Sequence, residues 1–147
     1  MDEFQGAVTT FLAEGAARSE RLILVADDPN PHVWPREMLS TGALLVASTA
    51  EIYGPERIVD AATLRDRFSQ VVREALDDGY SGVRLAADNT SLVSDGPRLA
   101  AWREWEDLSD RFMEDNPLTG LCAFDRSRTD PDQIRLLEKL HQRSFGF

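Results

Sequence analysis

Few side chains in this chain have the chemistry for catalysis, and those few are scattered. The histidines His32 and His141 lie far apart, and Cys122 is the single cysteine, so neither a zinc set nor a C-x-x-C pair can be drawn. Cys122 with His141 would make a nucleophile pair. However, Cys122 stands in an apolar run, where it packs as a small apolar group. Asp27-Asp28 is an adjacent acid pair that could hold magnesium for nucleotide hydrolysis. No G-x-x-x-x-G-K-[ST] loop accompanies it, nor G-x-G-x-x-G or G-x-S-x-G. Trp102 and Trp105, three apart, would share one helix face, as a stacking platform or as core. Arg84 is a lone cation inside an apolar run and needs a partner.

The elements that would position these groups follow from periodicity and punctuation. Phe4, Val8, Phe11 and Leu12 recur at helical spacing over 3–18, with Gly15 at a frayed end. Residues 21–26, 43–48, 82–87 and 118–124 are short, nearly continuous apolar runs, as expected of strands buried on both faces. Between them lie a short helix at 33–41 with Pro35 in its first turn, and a long helix at 61–78 capped by Asp60. The inner face of the long helix is Leu64, Phe68, Val71, Val72, Ala75 and Leu76. A helix from Pro97 to 114 turns Leu99, Trp102, Trp105, Leu108, Phe112 and Met113 inward. Asp130 caps a last helix lined by Ile134, Leu137 and Leu140. Helix–strand alternation requires crossover connections. The fold class is therefore α/β, a mainly parallel sheet with helices on both faces, in one domain over 1–147.

Composition narrows the function. Net charge is −10, and the arginines and lysines alternate with acids along helical stretches, so direct nucleic-acid binding and docking to anionic membranes are not expected. No apolar run approaches a membrane span, Met1 to Phe11 lacks the bases of a signal peptide, and one cysteine suits a reducing compartment. Together these point to a cytoplasmic protein.

In an open parallel sheet, ligands bind in the crevice at the carboxyl ends of the strands. The first strand delivers Asp27 and Asp28 there, the second Ser48 and Thr49, the third Asp88 and Asn89, and the fourth Asp125 and Arg126. Arg84 is expected beneath this crevice, paired with Glu106 or Asp125, either as a ligand-binding group or as a structural ion pair.

Several strings in order resemble the MEDS domain, the sensory module named from methanogens and methylotrophs. They are Phe11-Leu12-Ala13-Glu14-Gly15, Glu20-Arg21, Met38-Leu39 with Gly42, and Tyr53. Further on come Glu74-Ala75-Leu76, Gly79-Tyr80-Ser81-Gly82-Val83-Arg84, Trp105-Glu106 and Leu121-Cys122-Ala123-Phe124-Asp125-Arg126. The resemblance implies a RecA-like three-layer sandwich without working nucleotide chemistry, sensing small molecules or sitting beside kinase, anti-sigma-factor-antagonist or DNA-binding domains. Such domains usually begin with a further strand, for which Met1 and Asp2 leave no room. No partner domain is expected within these 147 residues, so the output is expected to pass through another protein.

The leading expectation is a non-catalytic sensory domain that binds a small ligand or a partner protein and so regulates gene expression or signalling. The alternatives are an interaction adaptor with no small ligand, and a nucleotide hydrolase using Asp27 and Asp28. No cofactor, metal or ATPase activity is expected, and an open sheet edge would allow a homo-oligomer.

Overall fold

The apolar runs are strands because each is short, rich in branched side chains and flanked by turn residues, and because both of its faces are covered. The computed structural model describes residues 3–28, 42–140 and 144–146. In chain order the elements are α1 (Glu3–Ala17), β1 (Arg21–Ala26), β2 (Leu44–Ser48), α2 (Thr49–Tyr53), α3 (Ala61–Asp77), β3 (Val83–Asp88), α4 (Gly96–Asp115), β4 (Leu118–Phe124), α5 (Pro131–Leu140) and β5 (Ser144–Gly146). The expected helix at 33–41 lies outside the described residues.

All pairings are parallel, in the order β2-β1-β3-β4-β5. The order reverses between β1 and β3, so the gap at their carboxyl ends is a topological switch point. The four expected strands appear within a residue or so of their predicted bounds. The fifth, β5, pairs only with Cys122–Phe124 and was not foreseen, since three residues are too few for any period to show.

Alternation along the strands divides the core in two. Ile23, Val25, Val83, Leu85 and Ala87 face a large cluster built from Tyr53 of α2, Leu64, Phe68 and Val72 of α3, and Trp102, Trp105 and Phe112 of α4. Ile134 of α5 packs against this same cluster. Leu22, Leu24 and Ala86 face the other way, onto Val8, Phe11 and Leu12 of α1. Helices therefore cover both faces, as expected.

Helix ends follow capping chemistry. Asp60 accepts a hydrogen bond from Ala62 N at 3.2 Å, and Asp95 one from Arg98 N at 2.9 Å. At the end of α3, Tyr80 N bonds back to Ala75 O, and Gly79 takes the positive φ of 95° that this closure needs. Leu76, expected inside, is 45 % exposed. The stripe of α3 facing the sheet is narrower than its run of apolar residues. After β3 the chain forms a 3-10 turn over Thr90–Val93, and Leu92 and Val93 of that turn plug the large core.

Gly15 is no frayed end. It lies within α1, and a Cβ there would meet Arg84 Cδ and Leu22 Cδ2, both at 2.7 Å. Glycine lets α1 settle directly on β1 and β3. In an open helix Gly→Ala would gain about 0.5–1 kcal/mol. Here, overpacking against two buried side chains costs about 1–3 kcal/mol. We expect Gly15→Ala to lower stability by about 1 kcal/mol in urea denaturation; a higher midpoint would contradict this close approach.

Candidate functional site

Strand ends bring three of the expected acids together. Asp27, just past β1, accepts hydrogen bonds from Ser91 Oγ at 2.8 Å and from Arg57 Nε at 3.2 Å, the latter an ion pair. Asp88 closes β3, and its Oδ1 accepts from the backbone N and hydroxyl of Thr90 at 3.0 and 2.6 Å. The same Thr90 hydroxyl accepts from Asp125 N at 2.8 Å, which ties the end of β3 to the end of β4. Asp125 in turn holds Ser127, with N and Oγ at 2.9 and 2.7 Å from its Oδ1. The crevice is thus a set of acid-centred turns.

Charge differs sharply within it. Burial alone would raise the Asp27 carboxyl, but hydrogen bonds from Ser91 and Arg57, the nearby Thr49 hydroxyl and the Arg57 positive charge hold it below the ordinary carboxylate value. Burial pushes Asp88 above its ordinary value, and the Asp27 charge adds to this, despite the Thr90 hydrogen bonds and the Arg128 charge. Thr49 faces Asp27 without completing a hydrogen bond, and the Asn89 side-chain amide is buried with neither atom partnered. The crevice therefore holds polar capacity that its own side chains leave unused. Among the described residues, no three His, Cys, Asp or Glu side chains are arranged as a metal-ligand set.

The remaining expected residues stand elsewhere. Asp28 is exposed beyond the acid-centred turns. Ser48 is consumed by a capping box with Glu51 at the start of α2, at 3.1 and 2.9 Å. Arg84 does not lie under the crevice and does not pair with Glu106 or Asp125. It is the second residue of β3, near the amino ends of the strands, about four residues or ~13 Å of strand from the crevice. It faces α1, whereas Glu106 rides on α4 across the sheet. Its guanidinium, 2 % exposed, bonds Glu20 Oε1 at 3.2 Å, Glu14 Oε2 at 3.1 Å and Phe11 O at 3.4 Å. It also lies 4.8 Å from the centre of the Phe11 ring. Burial with a carboxylate partner was foreseen, but not that there are two, nor which they are. The signal was present: Glu14 and Glu20 flank the turn into β1, and β1 is the strand beside β3, with Leu22 opposite Arg84.

The second candidate is a cavity of about 40 Å³ under α4. Tyr53, Phe68, Trp102 and Trp105 form its aromatic wall, with Leu85, Leu118, Gly120 and Cys122 from the sheet. Glu106 reaches it although only 2 % exposed. Burial, with Cys122 and Glu106 nearby, pushes the Tyr53 phenol well up, so it stays neutral. Trp105 stacks on Phe68 at 5.6 Å, and Trp102 meets Tyr53 edge-on at 6.2 Å. Sequence reasoning placed the tryptophans in the core but did not see the space beside them. The partner of Cys122 proposed from sequence, His141, lies outside the described residues.

Two outcomes follow. Arg84→Ala should cost about 3 kcal/mol, the lower end for a broken buried pair because Glu14 remains in water, and Arg84→Lys should restore only part of it; an unchanged denaturant midpoint for Arg84→Ala would contradict the pairing. Because the folded pKa of Asp88 is raised, its contribution is fully favourable only below the ordinary carboxylate pKa and is lost as pH rises through the folded value. Asp88→Asn should therefore be more stable than the wild type at pH 7, and the two should converge in acid, as measured by thermal melts across pH.

The comparisons with known proteins identify a family. No curated protein and no solved structure matches the chain. The family described as the MEthanogen/methylotroph, DcmR Sensory domain matches residues 1–142. Nearly the whole chain, from α1 through α5, is covered by that match, and the chain belongs to the MEDS family of sensory domains.

Proposed function

We propose that this MEDS domain is a non-catalytic sensor that binds a small molecule in the cavity under α4 and passes the event to a regulatory partner protein. The observation that carries this reading is the cavity itself. Its wall is aromatic and apolar, and only a few polar groups, Glu106, Tyr53, Ser109 and Cys122, converge on it. That combination is what small-molecule sites present: apolar area for affinity and a few fixed polar groups for orientation.

The crevice serves a different purpose in this reading. Its carboxylates are engaged by Ser91, Arg57, Thr90 and Ser127, which fixes the loops, and the described residues there offer no phosphate cradle. That supports a sensor over a nucleotide hydrolase. A cytoplasmic location, a role in gene regulation and a partner protein are parts of the same proposal. They are consistent with the family's sensory character and with the finding that, among the described residues, no helix is long and apolar enough to cross a membrane.

Gly120 offers the test. A Cβ there meets Met113 Sδ at an ordinary 3.6 Å, and its backbone is not in the left-handed region, so the strand accepts a branched side chain while the cavity loses its space. We expect a thermal-shift screen of small metabolites, and of ATP with magnesium, to raise the Tm of the wild type with at least one small compound and not with the nucleotide. A ligand at 100 times its Kd adds about 2.7 kcal/mol of stability. Gly120→Val should fold normally and lose the shift. A shift that survives in Gly120→Val would place the ligand elsewhere, and magnesium-dependent ATP hydrolysis lost in Asp28→Ala would overturn the non-catalytic reading.

A further inference from the structure

Strand register brings three polar residues into one row at the mouth of the crevice. Val25 lies opposite Ala47 on one side and Ala87 on the other, so two residues on Asp27 falls between Thr49 and Asn89. Alternation turns this row toward the face of Val25 and Ala87, which α3 and α4 cover. The Thr49 hydroxyl does face Asp27. The row crosses the switch point between β1 and β3, where parallel sheets take ligands, and the row beneath it holds the short side chains of Ala47 and Ala87. None of the three residues lines the cavity under α4.

Two of the three are unspent. Thr49 is fully buried and Asn89 is 3 % exposed, yet the Thr49 hydroxyl and both ends of the Asn89 amide lack hydrogen-bond partners among the described residues. A buried polar group without a partner is costly, and folded proteins rarely leave one. Asp27 between them is already served. Its Oδ1 accepts from Ser91 and Arg57, and the Arg57 charge balances its own. A cation would compete with Arg57, and an anion would face the Asp27 carboxylate. What the row leaves unmet is therefore neutral: a donor and an acceptor for Asn89, and a partner for the Thr49 hydroxyl.

A primary carboxamide supplies all three. Its oxygen and one N–H meet the Asn89 amide edge to edge in two parallel hydrogen bonds, and its second N–H is left to donate to Thr49. Thr49 and Asn89 stand two strand spacings apart, about 10 Å at the backbone, a gap that a few heavy atoms and their hydrogen bonds span. We propose that this row is a second binding site, distinct from the cavity under α4, for a small neutral molecule bearing a primary carboxamide, with Asn89 as the paired edge and Thr49 as the second anchor. Asp27 and Arg57 form its rim. Their side chains are 39 % and 32 % exposed, and an ion pair at such positions is weak enough to open for entry.

The experiment titrates the full chain with acetamide and, separately, with acetone and sodium acetate. The three share a methyl–carbonyl frame; acetone lacks the N–H groups and acetate carries a charge, with sodium chloride matching ionic strength. The readout is the side-chain N–H resonances of Asn89 by NMR, assigned by their loss in Asn89→Leu. Acetamide is expected to shift them saturably, with acetone and acetate weaker by about tenfold or more. Thr49→Val keeps the shape and removes the hydroxyl, so it should weaken acetamide by about fivefold, the ratio one neutral hydrogen bond is worth, while Thr49→Ser should restore it. Gly120→Val, which fills the other cavity, should leave the response unchanged. If Thr49→Val does not fold, the three probes on the wild type decide alone. Acetone or acetate binding as tightly as acetamide would overturn the carboxamide assignment. A response lost in Gly120→Val would put acetamide under α4 and overturn the second site while supporting the first. No saturable response to acetamide would overturn the second site, with buried water as the partner of Asn89 and Thr49, and would leave the cavity reading to the metabolite screen.

Discussion

A guanidinium cannot shed its proton inside a protein, so wherever Arg84 is buried the surrounding chain must supply compensating charge. In this molecule that demand organises one whole face of the sheet. Glu20 approaches from the turn into β1, Glu14 from α1, and the Phe11 carbonyl and ring complete the enclosure. For the helix to come close enough, position 15 must lack a side chain, and it is glycine. Helix, turn and two strands are thus held in one geometry by a single cation. The two acids are unequal. Glu20 is nearly enclosed while Glu14 remains largely in water, so the inner contact carries most of the electrostatic weight.

How the sheet was legible in the sequence, and how its pairing was not, has one explanation. Apolar runs such as Leu22–Val25 declare a strand locally, because both faces must be dry. Residues such as the cap Asp60 and the first-turn Pro97 declare helix starts just as locally. The partner of Arg84 depends on which face of β3 its side chain takes and on which helix covers that face, and neither is written in a window of ten residues. Reasoning from sequence order alone offered Glu106, on the helix that follows β3, or Asp125, but that helix covers the opposite face and Asp125 lies at the far end of the strands. The strings Phe11–Gly15 and Glu20-Arg21 contained the answer, and only the β1–β3 pairing connects them to Arg84.

The candidate sites show the same division. The polar crevice could be placed from strand ends alone, because the topology of parallel sheets fixes where those ends converge. The cavity could not. It exists because Trp102, Trp105, Phe68 and Tyr53 pack on one another and leave space above Gly120, which is a property of volumes and ring angles. Glu106 looked from the sequence like a partner for arginine, and it turns out to line the aromatic cavity on the other side of the sheet.

Thr90 gives the fold a mechanical property. Its hydroxyl donates to Asp88 and accepts from the backbone of Asp125, so the ends of β3 and β4 are riveted at one atom. Two and three residues further on, Leu92 and Val93 are embedded in the same packed core as Trp102 and Tyr53. The segment between is too short to leave slack, so the ends of β3 and β4 and the aromatic layer are held at a fixed distance by one short strut, anchored at Thr90 and in the core.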